Sequence, residues 1–211
     1  MIIFYYVVFI LLGYLSGSLL WSRIIAKVFC GHNIVEENSD KNPGAANVFK
    51  TCGVPAGIAA LVCDLLKGFL PVFISFFFVP TSSFLFSLLV SSPVLGHIFP
   101  IFFRFRGGKA IAVSFGVLLA LSYMTPLPLI LLIVLYIFFS LIVVFKPHVW
   151  RSVVVYVLFG FLSALFVDNI FAVAACVIIA VAVFLRHYIT RDRNDSITVT
   201  LFPRASDNSK K

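Results

Sequence analysis

The chain has 211 residues, of which 62% are apolar and 11% charged, and its formal net charge is +8. Soluble domains carry roughly a quarter charged residues, so this composition excludes an ordinary soluble domain and describes a polytopic membrane protein. The positive balance suits loops held on the cytoplasmic side of a bilayer, and no nucleic-acid partner is expected.

Breaking the apolar runs at Pro, Gly and charged clusters predicts an all-α fold with seven spans, near 2–22, 54–79, 84–103, 110–125, 127–145, 152–167 and 169–185. The first run has no basic leader and reads as a retained span. The basic connections are 23–53, 104–109, 146–151 and the tail from Arg186, whereas Pro80 to Ser83, Met124 to Pro126 and Asp168-Asn169 hold no Lys or Arg. With an odd number of spans, that bias puts the N-terminus outside and the C-terminus in the cytoplasm. The short span after Lys109 and the turn at Pro126 and Pro128 are the weakest elements; one bent helix or a re-entrant segment is the alternative. Residues 1–190 read as one membrane domain and 191–211 as a basic polar tail.

Along the chain, the polar groups gather in a few places. The first basic loop runs Asn38 to Lys50, with turn residues followed by Gly44-Ala45-Ala46-Asn47, which suits the start of a short interfacial helix. Its amides suit a polyol phosphate or simply a solvated loop. Asp64 and Lys67 sit inside the second apolar run at i, i+3 on one helix face. Such charges belong inside a bundle, either as a self-neutralising pair or with Lys67 offered to a ligand.

Gly96 to Lys109 is a polar hinge between two apolar runs, containing His97, Arg104, Arg106, Gly107, Gly108 and Lys109. Three cations and two glycines ahead of a helix outline an anion site. It is not a Walker A loop, because Phe103 stands where the first glycine belongs. His187 and Asp192 have the H-x-x-x-x-D spacing of an acyltransferase base dyad, a spacing that chance also produces. Cys30, Cys52, Cys63 and Cys176 form no C-x-x-C pair and read as buried hydrophobes. Carboxylates with metal-ligand spacing are absent from the basic side, so neither metal nor cofactor is expected.

Together these pieces resemble the acyl-phosphate:glycerol-3-phosphate acyltransferases of the PlsY type. The first block is Asn42-Pro43-Gly44-Ala45-Ala46-Asn47-Val48-Phe49-Lys50, similar to S-G-N-x-G-A-T-N-x-x-R. The second is Asp64-Leu65-Leu66-Lys67-Gly68, matching D-x-x-K-G. The third runs from Gly96-His97-Ile98-Phe99-Pro100 to Arg106-Gly107-Gly108-Lys109-Ala110. Gly17-Ser18 and Arg186-His187 are weaker echoes.

The resemblance implies a bacterial inner-membrane enzyme with its active site facing the cytoplasm, acylating the 1-hydroxyl of glycerol 3-phosphate from acyl phosphate to give lysophosphatidate. Besides these substrates and membrane lipid, no obligate protein partner is implied. Departures fall mainly in the first block, where Asp40-Lys41 replaces Ser-Gly, Ala46 replaces Thr and Lys50 replaces Arg, losing a bidentate fork. The Ser-x-x-Ser after the fifth span reads Val149-Trp150-Arg151-Ser152, and a Thr near the third block is Val113.

Acyl phosphate is a mixed anhydride with a good leaving group, so the chemistry asks for positioning and charge relief more than for an enzyme nucleophile. Lys67, Lys109 and the Gly107-Gly108 amides are expected to hold the donor phosphate, with Asp64 orienting Lys67 and Arg104 and Arg106 nearby. Asn42, Asn47, Lys50 and Arg151 are expected to hold the acceptor, Asn47 as a catalytic residue as well, and Gly44, Ser152 and Arg186 are expected to bind substrate. His97 or His187 is expected to take the hydroxyl proton. Rival readings are another phosphorylated alcohol as acceptor, an inactive member, or a small-anion transporter, against which stands the gathering of cations at one face.

Overall fold

A hydrocarbon surround offers no water to backbone N–H and C=O groups, so apolar runs of this length close their hydrogen bonds within helices. The computed structural model describes residues 1–38, 40–191 and 196–202 and is mostly helical. Five segments are long and apolar enough to cross a membrane: Ile2–Cys30, Val54–Ser75, Phe84–Phe103, His148–Phe166 and Ile170–Thr190. The first comprises α1 (Ile2–Ser18) and α2 (Trp21–Cys30), interrupted at Leu19 and Leu20. Two short helices follow, α3 (Ile34–Glu37) and α4 (Ala45–Cys52), and then α5 (Val54–Ser75). Next come α6 (Phe84–Ile98), a 3-10 turn at Ile101–Phe103, α7 (Ile111–Leu121), α8 (Leu127–Leu141), α9 (His148–Phe166) and α10 (Ile170–Thr190).

The region expected at 110–145 forms two separate helices. With 11 and 15 residues, α7 and α8 are about 17 and 23 Å long, shorter than a hydrocarbon core of about 30 Å. The end of the fifth expected span is not helical. Val143–Lys146 is strand β1, paired antiparallel with β2 (Thr198–Leu201), Val143 opposite Leu201. β-branched and aromatic residues favour that outcome. The described part of the expected tail is therefore joined to the bundle by a two-stranded sheet.

Helix packing forms a closed ring: α1 on α6, α6 on α10, α10 on α9, α9 on α8, α8 on α7, α7 on α5 and α5 on α1. The core between them includes Phe86, Leu89, Val94, Val113, Val117 and Ile179. Outward faces carry Leu11, Ile58, Leu66, Leu70, Ile133 and Val181, all exposed, as lipid contact requires.

Close approach depends on glycine at two contacts. A Cβ on Gly96 would lie 2.1 Å from the Tyr14 carbonyl of α1, and one on Gly116 would lie 2.0 Å from the Leu65 carbonyl of α5. Prolines inside helices leave carbonyls four residues back without a donor. Serines repair both. Pro71 frees the Lys67 carbonyl, which accepts from Ser16 Oγ at 2.9 Å, and Pro93 frees the Leu89 carbonyl, which accepts from Ser92 Oγ at 2.8 Å.

Candidate active site

The break between α1 and α2 turns the Leu19 carbonyl out of the helix ladder, and that oxygen accepts from Lys67 Nζ at 2.7 Å. Lys67 also pairs with Asp64 Oδ1 at 2.8 Å and contacts His97 Nδ1 at 2.8 Å. Ser22 Oγ, on α2, donates to the other Asp64 oxygen at 2.9 Å. Side chains of Asp64 and Lys67 are 3% and 2% exposed. Three helices thus meet on a buried ion pair, at the spacing read from the sequence.

His97 lies near the end of α6, and the chain turns back over it. Gly108 N–H donates to the His97 carbonyl at 3.1 Å, and a Cβ on Gly108 would lie 2.3 Å from His97 Nε2. A Cβ on Gly107 would meet that same carbonyl at 2.0 Å. Both glycines are there for space. The expectation of two free amides is corrected for Gly108, whose N–H is already engaged. Arg186 of α10 donates from Nη2 to the Gly107 carbonyl, clamping the loop from the far side.

Lys109 extends from this loop to Asp40 Oδ2 at 3.1 Å. Asp40 Oδ1 accepts from Asn47 Nδ2 at 2.8 Å and from the Asn42 amide at 3.2 Å, while Asn47 Nδ2 also reaches the Asn42 carbonyl at 2.8 Å. Burial alone would raise the Asp40 carboxyl, but the Asn47 amide and the Lys109 ammonium outweigh it and hold the group below the usual carboxylate range. Lys109, rather than the exposed Lys41, offsets this carboxylate.

The first and third sequence blocks therefore meet at Asp40 and Lys109, and the second and third at Lys67 and His97. Gly44 caps α4 from its extended backbone, and Lys50 is exposed in the last turn of that helix. The Arg104 and Arg106 side chains are exposed and form no hydrogen bond or ion pair with described residues. Arg151 and Ser152 lie in a second polar group: Arg151 Nη1 donates to Ser140 Oγ at 3.1 Å, and Tyr136 Oη donates to Ser152 Oγ at 3.3 Å. Among the described residues no hydrogen bond joins this group to Lys67 or Lys109. His187 is 1% exposed, and its Nδ1 donates to the Val183 carbonyl at 2.9 Å, leaving Nε2 as the acceptor nitrogen. Asp192, its expected dyad partner, lies outside the described residues.

Residues 7–193 match the family model described as glycerol-3-phosphate acyltransferase. The chain belongs to the glycerol-3-phosphate acyltransferase family. It is 32% identical to the glycerol-3-phosphate acyltransferase of Staphylococcus haemolyticus and 34% identical to that of Staphylococcus carnosus, each over 86% of this chain and 90% of the relative. A match to the Desulfovibrio desulfuricans enzyme reaches 42% identity over 117 residues, 56% of this chain and about half, 52%, of that relative's length. The crystal structure of PlsY, an integral membrane glycerol 3-phosphate acyltransferase, in its glycerol 3-phosphate form superposes with a TM-score of 0.74 at 25% identity, over 87% of this chain and 88% of that one.

Sequence reading did not anticipate Leu19, Ser16 and Ser22 as partners of the family's D-x-x-K-G block. A visible sign was Ser16-Gly17-Ser18, small polar residues in an otherwise apolar run. The Leu19 carbonyl had no sign at all, since any residue at a helix break presents one.

Proposed function

We propose that the protein transfers a fatty acyl group from acyl phosphate to the 1-hydroxyl of glycerol 3-phosphate, releasing inorganic phosphate and lysophosphatidate. In this reading the chain crosses the bilayer seven times with its N-terminus outside, and the site faces the cytoplasm of a bacterial cell. The observation that carries the proposal is the convergence of all three sequence blocks, through Lys67–His97 at 2.8 Å, Gly108–His97 at 3.1 Å and Lys109–Asp40 at 3.1 Å.

Attack of the glycerol hydroxyl on the acyl carbon forms the new ester and breaks the acyl–phosphate bond; negative charge develops on the leaving phosphate, and the hydroxyl proton ends on the inorganic phosphate released. Lys109, the most accessible of the network's ammonium groups, is the fitting partner for that charge. Lys67 is buried, hydrogen-bonded to the Leu19 carbonyl and His97 and ion-paired with Asp64, so it acts by its field and by anchoring His97. Asn42, Asn47, Gly44 and Lys50 border the same loop and suit the acceptor's hydroxyls and phosphate. The acyl chain fits an apolar groove of about 610 Å³ between α2, α4 and α5, lined by Trp21, Ile25, Phe29, Pro55 and Ala59 among others. Trp21 and Cys63 of its wall are the sequence neighbours of Ser22 and Asp64 of the polar cluster.

The test is turnover by the purified protein in detergent with palmitoyl phosphate and glycerol 3-phosphate, against acyl-CoA as donor and other polyol phosphates as acceptors. Lysophosphatidate and phosphate formed in equal amounts from the first pair are expected. Acylation from acyl-CoA alone, or preference for another acceptor, overturns the reading.

A further inference from the structure

Alternation along β1 and β2 assigns each of their side chains to one of two faces, and directly opposed residues share a face. The register of Val143 with Leu201 and of Phe145 with Val199 therefore gathers four apolar side chains on one side. The other side holds Lys146, Thr198 and Thr200, with Val144 as its one apolar member. The sheet is amphipathic across its thickness.

Where the apolar face points follows from β1. Val143 and Phe145 pack against the bundle core, and the Phe145 ring centroid lies 5.8 Å from that of Phe139 on α8. Val199 and Leu201, on the same face of the outer strand, are 54% and 66% exposed. They carry that face past the edge of the bundle, where a membrane protein meets lipid. The apolar surface is continuous with the lipid-facing side of α8. Phe202 N–H donates to the Ile142 carbonyl at 2.9 Å, and Leu141, next to that rung, is exposed at the end of the helix.

Depth is set by the backbone. A two-stranded sheet has open edges, and hydrocarbon would leave their N–H and C=O groups without partners, whereas the headgroup region supplies water. Trp150, near the start of α9, and Tyr188, near the end of α10, stand at this same end of the bundle. The Arg191 guanidinium lies 5.1 Å from the Trp150 ring and 3.5 Å from the Tyr188 ring. Aromatic and basic groups of this kind concentrate at the membrane–water boundary.

We propose that the β1–β2 sheet is an interfacial anchor that lies on the headgroup region of the protein's own bilayer. Val199 and Leu201 turn toward the acyl boundary, while Lys146, Thr198 and Thr200 face water. β2 lies beyond residues 7–193, the stretch that matches the family model, so the anchor belongs to this chain's extension rather than to the matched fold. It also ties the start of α9, with Arg151 and Ser152, to the membrane surface. The assignment holds whichever acyl donor the protein uses.

The test places single cysteines in the full chain, in a background lacking the native four: Val199→Cys in one protein and Thr198→Cys in another. Each is labelled with an environment-sensitive fluorophore and held in nanodiscs of phosphatidylcholine and phosphatidylglycerol. The label at position 199 is expected to emit at shorter wavelength, to lose fluorescence when the phosphatidylcholine is brominated on its acyl chains, and to be sheltered from iodide in the water. The label at position 198 is expected to behave in the opposite way. Equal quenching of the two labels by either agent, or stronger iodide quenching at 199, overturns the proposal. Without any label, Val199→Asp/Leu201→Asp is expected to speed tryptic removal of the tail in the same nanodiscs while helix content stays that of the parent. A cleavage rate equal to the parent's overturns it.

Discussion

Lys67 carries a charge into a region where a lone ammonium is unstable, and it is held by Asp64 of its own helix, the Leu19 carbonyl at the break between α1 and α2, and His97 of α6. Removing only the amine, as in Lys67→Met, strands the Asp64 carboxylate and is expected to cost about 3–5 kcal/mol, read as a large drop in melting temperature in detergent. The double variant Asp64→Asn/Lys67→Met is expected to recover most of that stability without recovering activity. Equal stability of the single and double variants would show that the pair is not coupled. Asp40 contributes differently, because its side chain is 43% exposed and its pairing with Lys109 is worth about 0–1 kcal/mol. Its folded carboxyl is held below its unfolded value, so its contribution is present above about pH 4 and disappears as pH falls through the folded value. Asp40→Asn is accordingly expected to lower the melting temperature slightly near neutrality and to match the parent in strong acid. At this scale the i, i+3 spacing made the Asp64–Lys67 pair legible. The contact between Lys67 and His97 was not, because it joins residues thirty positions apart on different helices.

Among the elements, the ring of helices is set by how closely backbones approach. Gly116 on α7 leaves no room for a Cβ against the Leu65 carbonyl of α5, and a displaced backbone cannot yield as a side-chain tip can. Gly116→Ala is expected to destabilise by about 1–3 kcal/mol, seen as a lower melting temperature and less monodisperse protein. Unchanged behaviour would mean that α5 and α7 separate freely. The groove between α2, α4 and α5 provides its own reporters, since Cys30, Cys52 and Cys63 line it while Cys176 is buried elsewhere. Burial, together with the neighbouring Cys30 thiol, pushes the Cys52 thiol up to about 11, so labelling requires alkaline buffer and proceeds slowly. A non-hydrolysable long-chain acyl phosphonate is expected to protect these thiols, and a short-chain one is not. Protection by both, or by neither, removes the groove as the acyl site. Apolar periodicity and Pro/Gly punctuation located the helices, but the divide between α1 and α2 lay inside what read as a single span. Strand β1 was likewise read as the end of a span, because its partner β2 is about fifty residues away in the chain.

For the whole molecule, the expected orientation is checked by single cysteines in a background lacking the native four. Lys50→Cys and Ser82→Cys are expected to react with a membrane-impermeant maleimide from opposite faces, Lys50 from the cytoplasmic side. Labelling of both from one side would break the seven-crossing arrangement, and with it the placement of the short α7 and α8. Composition and motif spacing by themselves determined that this is a helical membrane protein of the glycerol-3-phosphate acyltransferase family, because hydrocarbon permits few backbone solutions and local spacing sets helix faces. Which groups touch was decided only by the tertiary structure. Leu19, Lys67, His97, Lys109 and Asp40 are separated by tens of residues, and their hydrogen bonds depend on helix breaks, glycine-sized gaps and ring closure that no local pattern encodes.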